Sequence, residues 1–132
     1  MSDRFDNWRY PAIEEGSLTE YFWTVRHKQN FFLGDKTDIG AFTYINAKNG
    51  VTIEDRVQIG SHCAIYSVST IDQKEGPVVL KSNCKIGSHC VIMPGVTIGA
   101  NAVVGAFTFV NRDIPDNATA LGVPARIMRT GR

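Results

Sequence analysis

The chain has 132 residues, 43% of them hydrophobic, which is enough to bury one core, and its 14 Lys plus Arg against 13 Asp plus Glu leave a net charge of +1. That balance excludes the broad basic surface by which proteins hold nucleic acid or anionic membranes. No apolar run approaches the roughly 20 residues that cross a bilayer, and the opening MSDRFDNWRYPAIEEG is acidic and aromatic where a signal peptide would be basic and then apolar. With three cysteines, an odd number, the expectation is a cytoplasmic protein without a disulfide framework.

Taken in chain order, residues 1–32 are predicted to form an N-terminal cap. Ser17-Leu18-Thr19-Glu20 has the form of a capping box ahead of Tyr21, Phe22 and Trp23, and this predicts a helix over 18–29. Its aromatic side chains would cover the open end of whatever follows rather than bind substrate. From Leu33 onward an aliphatic residue returns every sixth position: Leu33, Ile39 and Ile45, then Ile53, Ile59, Ile65 and Ile71, then Leu80, Ile86, Ile92, Ile98, Val104 and Val110. A helical period would need apolar residues three or four positions on, where Lys36, Arg56, Asn83 and Asn101 stand. Glycine often follows the aliphatic residue, and a small residue usually stands fourth after it: Thr37, Thr43, Cys63, Ser69, Cys84, Cys90, Ala102 and Thr108.

Such hexads are the signature of a parallel β-helix solenoid, in which three short strands close one triangular coil and coils stack about 4.8 Å apart. The aliphatic residue fills the interior, the small residue shares it, and glycine relieves crowding or takes backbone angles that a Cβ would resist. Two interruptions break the period, an extra pair near Val51-Thr52 and the longer IDQKEGPVV, which predicts a loop thrown out over residues 71–79. The solenoid is therefore assigned to 33–114 and a closing segment to 115–132.

The pentapeptide IGSHC occurs at 59–63 and again at 86–90. The separation of His62 and His89 is 27 residues, an 18-residue coil plus a nine-residue excursion, which predicts that they stack on one face. Cys63, Cys84 and Cys90 hold the small interior position and read as packing residues. No metal site is expected, because zinc on imidazole needs three or four converging ligands and the third histidine, His27, precedes the repeats.

The segments VVLKSNCKIGSHCVIMPGVTIGANAVVGAFTFVNRDIPDN and ALGVPARIMR resemble the C-terminal coils and closing segment of the left-handed β-helix acyltransferases, within them the galactoside and maltose O-acetyltransferases. The resemblance covers residues 33 to 129. It implies an all-β, single-stranded left-handed parallel β-helix, with the short N-terminal helix added in front. It further implies a homotrimer that binds acetyl-CoA as co-substrate between subunits, without a metal, and acetylates a small-molecule sugar, sugar nucleotide or surface-polysaccharide precursor.

Carried over position by position, Ser88, Ala106, Asn111, Arg112, Arg126 and Arg129 would contact the coenzyme, the arginines through charge-assisted bonds to phosphate. Tyr44 and Asn46 would contact the acceptor. One position departs from the pattern. Thr70 stands where the sugar O-acetyltransferases keep a general-base histidine, and a threonine cannot take a hydroxyl proton usefully. Either the acceptor is an amine, already nucleophilic when neutral, or His62 or His89 supplies the base. The competing reading is a noncatalytic trimeric scaffold that kept the coils and lost the chemistry.

Overall fold

Short aliphatic strands separated by tight turns can bury their side chains only by stacking coil on coil, and the chain does so throughout the described residues, 3–130 of a computed structural model. Three parallel sheets form the faces of a left-handed triangular prism. The first face stacks Thr24–Arg26, Tyr44–Asn46, Ala64–Tyr66, Val91–Ile92 and Phe109–Val110. The second stacks Phe31–Leu33, Val51–Ile53, Val78–Leu80 and Thr97–Ile98, and the Ile98–Ile114 bridge extends it by one rung. The third stacks Asp38–Ile39, Gln58–Ile59, Lys85–Ile86, Val103–Val104 and Ala118–Leu121, and Arg126–Thr130 folds back antiparallel along its end.

The register puts like on like. Ile45 pairs with Ile65, Ile65 with Ile92 and Ile92 with Val110, all with side chains sealed inside. Burying each such side chain contributes about 1.5 to 3 kcal/mol relative to leaving it in water. Cys63, Cys84 and Cys90 lie in the same interior. Burial pushes the Cys84 thiol up to about 12, and hydrogen bonding with Cys90 together with burial pushes the Cys63 thiol up as well. Within that pair Cys90 is drawn down to about 7 by its hydrogen bond with Cys63, yet all three side chains are sealed inside the coil, and burial makes them packing groups.

Glycine after the aliphatic residue answers crowding rather than backbone angle. A Cβ on Gly40 would stand 2.3 Å from the Ser61 nitrogen, and one on Gly60 would stand 2.6 Å from that of Ser88. The left-handed backbone angles fall two residues later instead, on side-chain-bearing residues: Lys36, Arg56, Asn83, Asn101 and Asn117 at the corner between the second and third faces, and Phe42, His62, His89 and Phe107 at the next.

Several boundaries differ from those expected. The predicted helix over 18–29 is absent: Thr24–Arg26 is a strand paired with Tyr44–Asn46, and Lys28–Asn30 is a single 3-10 turn. The Thr19 hydroxyl accepts from the Tyr21 and Trp23 backbone N–H groups at 3.2 and 3.4 Å, so the capping geometry closes a turn. The first coil thus begins at Thr24 rather than residue 33. Trp23 and Phe31, with ring centroids 6.2 Å apart, fill its interior, whereas Tyr21 and Phe22 remain exposed.

The segment before this coil is tied down by Glu15, whose carboxylate accepts from the Lys28 and His27 backbone at 2.8 and 2.7 Å and is held below the usual carboxylate range by those bonds. Trp8 donates its indole N–H to the Thr37 carbonyl at 2.8 Å, and Arg4 pairs with Asp38. Ile71 leaves the hexad pattern altogether, 93% exposed at the tip of a hairpin. At the far end, Ala118–Leu121 continues the third face, so coiling runs past residue 114 before the chain turns back. The outermost residues of both assigned end segments, 1–2 and 131–132, lie outside the described residues.

Gly40→Ala should lower stability by about 1 to 3 kcal/mol, the usual result of forcing a methyl group against fixed backbone, and urea unfolding of the purified protein measures it.

Candidate functional site

A strand pair interrupts the coil where the first face ends. Val68–Ser69 and Lys74–Glu75 pair antiparallel, and residues 70–73 turn between them with Gln73 in the left-handed region. The stem is pinned by Ser67, whose buried hydroxyl donates to the Asn46 carbonyl at 2.7 Å and accepts from the Asn49 N–H at 2.9 Å. Asn49 then reaches the other strand, its amide donating to the Ser67 carbonyl at 3.1 Å and to Glu75 at 3.0 Å. The hairpin is therefore held at a fixed angle over the first face.

Between hairpin and face lies a groove of about 370 Å³, lined by Asn46, Tyr66, Val68, Ser69, Thr70, Ile71, Asp72, Val91, Met93 and Phe109. Asn46 and Thr70, two of the residues singled out from the sequence, meet in it. Tyr44 joins through Asn46, whose amide donates to the tyrosine hydroxyl at 3.4 Å, and through the Tyr66 ring at 6.0 Å. Alternation places these side chains outward because Ile45 and Ile65 point in. The sequence reading missed Tyr66, Ser69 and Asp72. Ser69 donates its hydroxyl to the Asp72 carboxylate at 2.9 Å, a contact that depends on the hairpin's antiparallel register.

The strands of the first face run parallel, so residues that precede them share one edge and residues that follow them share the other. Ser88 and Ala106 precede, one above the other at the corner from the third face, where the Phe107 N–H donates to the Ser88 carbonyl at 2.9 Å. Thr70 and its hairpin follow, as do Asn111 and Arg112. Arg126 and Arg129 lie on the returning strand at the end of the third face, paired with Leu121 and Thr119. The residues expected to hold the coenzyme are thus divided between two edges of one chain. Arg112, Arg126 and Arg129 are exposed and make no ion pair or side-chain hydrogen bond among the described residues.

His62 and His89 occupy the Ser88 edge, away from the hairpin. Their rings stack at 4.9 Å with 4° between planes, and the stack continues to Phe42 at 5.4 Å and Phe107 at 4.8 Å. Both faces of each imidazole are covered by a neighbouring ring, leaving only the ring edges open. Among the described residues no group of three or more His, Cys, Asp or Glu side chains is arranged to hold a metal ion.

Residues 77–112 match the family described as bacterial transferase hexapeptide (six repeats). Among curated proteins the chain is 30% identical over 128 residues to a putative acetyltransferase of Schizosaccharomyces pombe, covering 95% of this chain and 62% of that protein. It is 37% identical over 114 residues to the galactoside O-acetyltransferase of Escherichia coli, covering 75% of this chain and 56% of the relative. The chain therefore spans about three fifths of the length of these relatives. A hexapeptide-repeat-containing acetyltransferase of Vibrio cholerae, solved in complex with acetyl-coenzyme A, superposes with a TM-score of 0.78 at 31% identity, over 83% of this chain and 65% of that one. Repeat and register make this a hexapeptide-repeat β-helix, and the chain is similar to acetyltransferases that carry such repeats, the galactoside O-acetyltransferases among them.

Proposed function

We propose that the chain is an acetyltransferase that moves the acetyl group of acetyl-CoA to an amine on a sugar, sugar nucleotide or surface-polysaccharide precursor. It works as a homotrimer with the coenzyme lying between neighbouring copies. The observation that carries this reading is the groove under the hairpin, which presents Asn46, Tyr66, Thr70 and Asp72 and no imidazole. A sugar hydroxyl is scarcely ionised at neutral pH and needs a base to remove its proton during attack, whereas a neutral amine attacks first and loses its proton afterwards.

The proton bookkeeping fits a carboxylate. The amine nitrogen attacks the thioester carbonyl carbon, the C–N bond forms, and collapse of the tetrahedral intermediate breaks the C–S bond. The intermediate's nitrogen is a strongly acidic ammonium, so a base as weak as Asp72 takes its proton, which ends on the departing coenzyme A thiolate. Ser69, donating to Asp72, keeps that carboxylate aimed along the groove. Tyr44 and Tyr66 offer ring faces and hydroxyls of the kind that bind sugars.

Three exposed arginines without acidic partners among the described residues suit the coenzyme's phosphates, and the small side chains of Ser88 and Ala106 leave room for its thioester arm. The Vibrio cholerae relative, solved with acetyl-coenzyme A, supports the same donor. The division of these residues between two edges of the first face supports assembly, since a neighbour's hairpin can meet the Ser88 edge that the chain's own hairpin does not occupy. A noncatalytic scaffold would have no use for the unpaired arginines.

Arg112→Ala and Arg126→Ala should each weaken acetyl-CoA binding by about 1 to 3 kcal/mol, measured by calorimetric titration. Undiminished affinity in both would favour the scaffold.

The catalytic part is tested by a pair of variants. Thr70→His should raise acetylation of a neutral sugar, by up to the roughly 10² to 10⁴ that a positioned general base contributes, while Asp72→Asn lowers transfer to the amino sugar. Efficient hydroxyl acetylation by the unaltered protein, abolished in His89→Ala, would instead make His89 the base.

A further inference from the structure

The corner that follows the first face carries its turns in one column: residues 27–30 in the first coil, 47–50 in the second and the hairpin in the third. The groove under the hairpin therefore has neighbours on its N-terminal side. Arg26 pairs in register with Asn46 and Asn46 with Tyr66, and all three side chains point outward because Val25, Ile45 and Ile65 point in. Arg26 thus stands one coil, about 4.8 Å, before the Asn46 and Tyr66 that line the groove. Lys48 follows Asn46 by two residues, on a turn tied to the first by the Asn30 amide, which donates to the Lys48 carbonyl at 3.0 Å.

The acids that touch these turns are held by neutral donors. Glu15 accepts from the His27 and Lys28 backbone N–H groups with one oxygen each, at 2.7 and 2.8 Å, Asp72 accepts from Ser69 at 2.9 Å, and Glu75 accepts from the Asn49 amide at 3.0 Å. What is left to Arg26 is a 3.7 Å approach of its Nε to Glu15, longer than a hydrogen bond, with 57% of its side chain exposed. Lys28 is taken by the Ile13 carbonyl at 3.2 Å. The Lys48 ammonium has no ion pair among the described residues. The Arg26 stem is nevertheless placed: it lies against Gly16, where a Cβ would stand 3.4 Å from the Arg26 Cδ. A guanidinium fork and a mobile ammonium on adjacent coils, both short of acidic partners, match the chemistry of a phosphoryl group.

We propose that Arg26 and Lys48 bind a phosphoryl group carried by the acceptor, so that the substrate of this groove is a phosphorylated amino sugar rather than a free one. The sugar ring lies over Asn46 and Tyr66 with its amine toward Asp72, and its phosphoryl group reaches back to the first coil. No bond at phosphorus changes; the group is a handle whose binding fixes the amine in place. The inference rests on the preceding assignment of the groove to the acceptor, and not on the amide chemistry proposed there. Its two cations are separate from Arg112, Arg126 and Arg129, which lie on the far side of the hairpin and at the end of the third face.

The test compares glucosamine, glucosamine 1-phosphate and uridine diphosphate-glucosamine as acceptors with saturating acetyl-CoA, and titrates the same three into the protein by calorimetry. The unaltered protein should show a KM about tenfold or more below that of glucosamine for a phosphorylated acceptor; an advantage shared by both phosphorylated sugars assigns a single phosphoryl group, and one confined to the nucleotide sugar assigns a diphosphate spanning both cations. Arg26→Gln and Lys48→Gln should raise that KM, and weaken the titrated binding, by about 10- to 100-fold with kcat little changed. Lys36→Gln, which removes an exposed cation at the corner between the second and third faces, should keep the preference. Equal KM for the three sugars, a preference that survives Arg26→Gln, or an equal loss for glucosamine and its phosphorylated forms overturns the inference. So does a matching fall in acetyl-CoA affinity in Arg26→Gln, which would give the cation to the coenzyme. Absence of transfer to all three amines overturns the preceding reading alone if binding of the phosphorylated sugars still depends on Arg26, and both if it does not.

Discussion

Stacking one coil directly on the next, residue over residue, leaves an interior so narrow that, beyond the first coil, each rung is filled by an aliphatic side chain and a small one. Ile45, Ile65, Ile92 and Val110 form one such column, and Cys63, Cys90 and Thr108 stand among the small residues. At the corners the same closeness brings backbone onto backbone, and a methyl group at Gly40 or Gly60 would collide with the coil above. Charged side chains are forced outward. The functional surface is therefore whatever the outward positions of each hexad carry, repeated at coil spacing along straight columns.

Columns give this protein its division of labour. The first face holds Tyr44, Asn46 and Tyr66 on its outer side, the hairpin leaves from its following edge, and the row of rings and the Ser88–Ala106 column occupy its preceding edge. Because parallel strands cannot exchange their edges, the Ser88–Ala106 column and the hairpin of one chain stay on opposite sides of a face. At the preceding edge phenyl and imidazole take backbone angles that Asn83, Asn101 and Asn117 take at the corner before it.

Much of this was legible in the hexads. Period six gave the coils, the small fourth position gave the buried cysteines, and the 27-residue spacing gave the stacked histidines. The first coil was hidden because Trp23, Val25 and Phe31 fill it in place of the aliphatic-glycine pattern, and because a Thr19 turn and a helix cap use the same hydroxyl acceptor. Ile71 kept the period by coincidence of spacing while the chain had already left the coil at Ser67. Asp72 was invisible as a groove residue, since only the hairpin's register sets it against Ser69 and beside Thr70. The row of rings was legible in half: the histidines announced themselves by repetition, but Phe22, Phe42 and Phe107 belong to the same column only once the coils are aligned.

The central claim is that this groove transfers acetyl to nitrogen without an imidazole base, and its most direct measurement is the position of the acetyl group on an acceptor offering both choices. Acetyl-CoA and an amino sugar with free hydroxyls, incubated with the unaltered protein, should give the amide as the product seen by nuclear magnetic resonance. An ester on a sugar oxygen as the main product, or no turnover despite bound acetyl-CoA, would contradict the account.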